Sequence, residues 1–167
     1  MEITTLRDLF NEHIQDLWSM EDQIVNTLPD MIDAASDAGL RNALQAHLEQ
    51  TRHQVQRLEE ICRLVDCDPE GERCEGMRGI LKEGDKLVEK DVEEDEVRDA
   101  AIIAAAQRVE HYEIAVYGTA KTFARMLGEE EAATLLEESL EEEKNADAKL
   151  TEIAETNVNR RAMASGD

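Results

Sequence analysis

The chain has 167 residues, with few Gly or Pro and only 3% aromatic residues; this suits one helical domain large enough to bury a continuous core and gives little support to a sheet. Forty acidic side chains against 18 basic ones give a formal charge of −22, which repels nucleic acid and anionic membrane alike. No run approaches the ~18 apolar residues of a membrane span and no basic-then-apolar leader opens the chain, so a soluble cytoplasmic protein is expected.

The first helix is expected from Thr5, with Asp8 as its capping-box partner, to about Ser36, on an apolar stripe of Leu6, Phe10, Leu17, Ile24 and Leu28. Pro29 removes a backbone hydrogen bond and predicts a kink. Asp37-Ala38-Gly39 makes the break. The second helix covers about 40–65 on the stripe Leu44, Leu48, Val55, Leu58, Cys62 and Val65, with Thr51 within it and His47 and Gln54 on its flank. A polar connection from Asp66 to Gly76 leads to a shorter helix near 77–92 that carries Ile80, Leu81, Leu87 and Val88.

The third helix runs from about 96 to 127 and stops at Gly128, a good C-terminal cap. The fourth runs from about 129 to 156, and the tail from Asn157 to Asp167 is expected to fray. The chain is therefore read as all-α: an antiparallel four-helix bundle over residues 1–156, with one long crossover containing an additional short helix. Its low Lys count, six, beside so much like charge fits a halophilic source with salt to screen the repulsion. The three cysteines include no C-x-x-C pair; a buried Cys62 and two loop thiols is the leading reading, with a Cys67–Cys74 disulfide as the alternative.

Certain carboxylates fall where apolar residues belong. Stepping by four and three along the fourth helix gives Leu136, Leu140, Glu143, Asp147, Leu150 and Ala154. The third gives Ile103, Ala106, Glu110, Glu113, Tyr117, Ala120 and Ala124, and in the first Glu21 lies between Leu17 and Ile24. Five acids on three helices thus point toward one level near mid-bundle. They cannot all stay ionised in a dry interior without cations, basic partners or protons, and the stripes hold no Lys or Arg at that height. Two metal ions would neutralise them, and oxygen donors suit iron, with manganese as the second choice.

The runs EVRDAAIIAAAQRVEHYEIAVYGT (96–119) and LLEESLEEEKNADAKLTEIA (135–154), with HLEQT (47–51), RLE (57–59) and EDQIVNTLP (21–29), closely resemble the YciF-like stress-response proteins of the ferritin-like superfamily. The resemblance spans nearly the whole chain. It implies a bundle related in fold to rubrerythrins, a homodimer, and a dinuclear metal centre. Carried to matching positions, the metal residues it implies are Glu21, Gln54, Glu110, Glu113, Glu143 and Asp147. His53 lies on the outward face with Glu49, and His47 at the stripe's edge reads foremost as a structural histidine and next as a hydrogen-bond partner of a ligand.

Redox chemistry on peroxide or dioxygen is then the leading expectation: peroxide reduction, peroxide dismutation with manganese, or ferrous oxidation. A non-catalytic metal-stabilised bundle that binds a partner under stress is the alternative, and a metal-free acidic adaptor the third reading.

Overall fold

The computed structural model describes residues 3–71, 73–88, 92 and 94–165. Thr5 caps α1 (Leu6–Ala34) through a full capping box, its hydroxyl accepting from Asp8 N at 3.1 Å while Asp8 accepts from Thr5 N at 2.9 Å. α1 runs on through Pro29, with Phe10, Ile14, Leu17, Met20, Ile24 and Leu28 on the buried side. It ends two residues before Ser36 because Ala35 takes extended backbone angles. α2 (Ala38–Val65) starts earlier than expected, because Asp37 caps it by accepting Leu40 N–H at 2.9 Å. It stops at Asp66, whose φ of 55° and ψ of 51° are left-handed.

The crossover carries α3 (Glu75–Val88), which packs on α4 and, less extensively, on α1. The expected continuation of this helix through 89–91 lies outside the described residues. α4 (Asp95–Leu127) ends at Gly128, left-handed at φ 78°, and α5 (Glu130–Ile153) turns back at once.

Contacts at the helix ends fix the directions. Arg7 at the start of α1 meets Glu129 just beyond the end of α4, while Ser36 just beyond the end of α1 meets Asp99 near the start of α4. Asp37 before α2 meets Asn157 beyond α5. Each neighbouring pair (α1–α2, α4–α5, α1–α4, α2–α5) is therefore antiparallel, and the long crossover joins α2 to its diagonal partner. The fold is the expected all-α bundle.

The C-terminal segment departs from expectation. A π-helical turn (Ala154–Val158) leads into α6 (Asn159–Ala164), so the chain stays helical well past Asn157. Val158 is buried, Asn157 donates to Asp37 at 2.5 Å and Arg161 to Glu96 at 2.8 Å, which anchors a stretch that composition alone marks as tail. Among the described residues no helix is long and apolar enough to cross a membrane.

Candidate metal centre

α4 turns Glu110 and Glu113 inward because Ala106, Tyr117, Ala120 and Ala124 occupy the same stripe and are buried with them. α5 holds Glu143 in the stripe between Leu140 and Leu150, and α1 holds Glu21 between Leu17 and Ile24. All four glutamates are at most 2% exposed. α2 contributes something its apolar stripe conceals: His47, Thr51 and Gln54 are buried in line with Leu58, whereas Val55 is only half-buried.

His47, Glu110, Glu113 and Glu143 each offer one donor atom within 4.8 Å of the others. His47 Nε2 lies 3.4 Å from Glu110 Oε1. Glu21 adjoins this group: the Tyr117 hydroxyl donates to its Oε1, and it feels the charge of Glu143. Gln54 donates its amide to Glu143, and at 3.0 Å to Glu142, which Arg57 grips with two nitrogens at 2.7 and 2.8 Å.

Accounting for hydrogen bonds leaves a large deficit. Both oxygens of Glu113, one each on Glu21, Glu110 and Glu143, both nitrogens of His47 and the Gln54 carbonyl have no hydrogen-bond partner. Among the described residues no Lys or Arg is buried. Burial, then the charge of Glu143, pushes Glu21 up to about 8 and raises Glu110 and Glu113 well above the usual carboxylate range. Burial also raises Tyr117 and lowers His47, which keeps the imidazole neutral and able to ligate. Oxygen donors around one neutral imidazole, crowded and short of hydrogen, fit a divalent or trivalent cation. As placed, Gln54 faces the cluster as a donor, its carbonyl oxygen unused.

Asp147 stands apart from the four-residue group. It is half-buried, accepts from Gln107 at 3.0 Å and lies 3.2 Å from His111 Nε2, although its charge still reaches Glu110. Away from Asp147, a cavity of about 500 Å³ between α2 and α5 has His47 and Glu110 among its lining, with Ala46, Gln50, Asn145 and Ala146 at its sides. His53 is exposed, as its outward phase suggests. His47 is the residue that sequence reasoning undervalued. The signal was the four-three step from Leu44 to His47 to Thr51 to Gln54 to Leu58, masked by the competing stripe through Leu48 and Val55.

The family described as a domain of unknown function, DUF892, matches residues 5–163. The chain is 43% identical over 163 residues to Protein YciF of Escherichia coli strain K12, covering 97% of this chain and 98% of that protein. The crystal structure of the E. coli stress protein YciF superposes with a TM-score of 0.89, covering 94% and 99% of the two chains. YcfI of Rhodopseudomonas palustris, for which a structural role has been put forward, is 39% identical with a TM-score of 0.87, covering 90% and 95%. A Xanthomonas campestris protein at 21% identity and a TM-score of 0.76, covering 97% and 99%, shares the fold.

Proposed function

Because the chain belongs to the DUF892 family, among its YciF-like stress proteins, we propose that it holds a carboxylate-bridged pair of metal ions, iron foremost and manganese next, and acts on peroxide or dioxygen. One observation supports this most: four glutamates from three helices converge with His47 at full burial, and five of their eight oxygens lack a donor. Leaving such groups ionised and unpaired costs several kcal/mol each, so cations are the neutralising partners the site calls for.

His47, Glu110, Glu113 and Glu143 would hold one ion, and Glu21, beside Glu113 and Glu143, would complete the second position. Asp147 joins the proposed set only by turning from Gln107, and Gln54 only by turning its carbonyl inward. Bound there, the metals supply Lewis acidity and redox equivalents to a small oxidant. The protein's own part is to hold the ligands and limit water. Tyr117 orients Glu21, Gln54 orients Glu143, and the opening between α2 and α5 brings solvent to His47 and Glu110. Loading displaces the protons that the raised carboxyls otherwise retain.

The test is metal analysis of protein purified without chelators, followed by peroxide and oxygen consumption. About two iron or manganese ions per chain are expected, falling below one in Glu110→Ala; a sample holding no transition metal at any stoichiometry ends the proposal. Metal without turnover would favour the second reading, a metal-stabilised bundle that binds a partner, which the role put forward for the R. palustris relative supports. The homodimer belongs to the same proposal, and sedimentation at micromolar concentration checks it.

A further inference from the structure

The end of α2 places two thiols in contact. Asp66 is left-handed, and Cys67 N–H donates to Cys62 O at 3.0 Å. This closure of a helix end sets the side chain just past the left-handed residue against the one five positions before it. Here those two side chains are cysteines, with Sγ atoms 3.0 Å apart. A disulfide needs about 2.05 Å, so roughly 1 Å of further approach, within reach of side-chain rotation, would make the bond. Cys67 is half-exposed and Cys62 buried, so one sulfur meets solvent while the other waits behind it. Their shared hydrogen bond lowers the Cys67 thiol and, with burial, raises Cys62.

The alternative partner is engaged elsewhere. Cys74, in the loop just before α3, is buried, 3.2 Å from Asp16 Oδ2 and 3.6 Å from the Tyr112 hydroxyl. The pairing favoured by the structure is therefore 62 with 67, in place of the 67–74 pair weighed from sequence.

We propose that Cys62 and Cys67 form a peroxide-oxidisable dithiol, separate from the carboxylate centre, that closes to a disulfide stapling the end of α2 to the start of the crossover. Cys67 thiolate attacks one peroxide oxygen and the O–O bond breaks; Cys67 becomes a sulfenic acid, and the departing hydroxide takes a proton to become water. Cys62 sulfur then attacks Cys67 sulfur. The S–O bond breaks, the S–S bond forms, and the second water leaves with the proton of Cys62. Two thiols are oxidised by two electrons and one peroxide is reduced to two waters; a small dithiol reverses the closure by exchange.

The experiment treats metal-free, full-length protein with equimolar hydrogen peroxide, counts free thiols and maps cross-links by mass spectrometry. Expected are loss of two of the three thiols, a Cys62–Cys67 peptide two mass units lighter than its reduced form, and recovery with dithiothreitol. Cys74→Ser should behave likewise, and Cys67→Ser should keep both remaining thiols. Cys62→Ser should accumulate a sulfenic acid at Cys67 that dimedone traps. A cross-link to Cys74 or between chains, three surviving thiols, or thiol loss in Cys67→Ser equal to wild type would each overturn the proposal.

Discussion

Asp37 and Asp99, where α1 turns into α2, are nearly as buried as the glutamates at mid-bundle, yet all four of their oxygens accept hydrogen bonds. Asp99 takes Ser36 N–H at 2.7 Å and Asp37 N–H at 2.8 Å; Asp37 takes Leu40 N–H at 2.9 Å and Asn157 at 2.5 Å, with Arg161 beyond it at 3.5 Å. At mid-bundle, Glu113 meets no N–H or hydroxyl donor and can share a proton only with another carboxyl, that of Glu21. Burial alone therefore does not distinguish a cation site from a structural corner. The supply of donors does, and the corner draws three of its four from backbone freed at helix ends, a source that mid-helix residues lack.

Metal should therefore act on one level alone and strongly. Saturating iron or manganese at a hundred- to thousandfold excess over Kd should add about 3–4 kcal/mol per ion, roughly 6–16 °C in Tm for each, and a chelator should remove it. A melt indifferent to both would erase the distinction.

The metal-free protein should also lose stability with rising pH. Glu21 folded is raised to about 8 from a reference of 4.5, so the folded state keeps a proton that the unfolded chain releases. Its contribution is complete below about 4.5 and declines as pH climbs to about 8, by roughly 3–5 kcal/mol for this group. Urea unfolding of metal-free protein between pH 5 and 8.5 measures it, and bound metal should flatten the dependence.

Asp99→Ala strands the Ser36 and Asp37 N–H groups and should cost about 2–4 kcal/mol while leaving metal content intact. Lost metal in this variant would show that the two levels are coupled. Glu113→Gln sharpens the contrast from the other side. It should stabilise metal-free protein at pH 8 by about 1–3 kcal/mol, yet lower metal occupancy.

Much of this was legible in the sequence, for a physical reason. Glu110, Glu113 and Glu143 interrupt apolar stripes whose phase is unambiguous on both sides, so their direction follows from helix geometry. α2 was harder. Its Leu48 and Val55 sit at the edge of the buried face and pulled the inferred stripe away from His47 and Gln54. Asp147 has the right phase, but its carboxylate turns aside along α4, where Gln107 and His111 receive it. The last helix was invisible because what anchors it, Asp37 and Glu96, is distant in sequence and meets Asn157 and Arg161 only once the bundle has formed.

The chain of contacts from Arg57 through Glu142 and Gln54 to Glu143 runs from the protein's rim to its middle. An exchange at the half-buried Arg57 would change the field felt at the centre without touching any residue that lines it. Any cation held there would answer to a residue that never meets it, with every inner acid left in place.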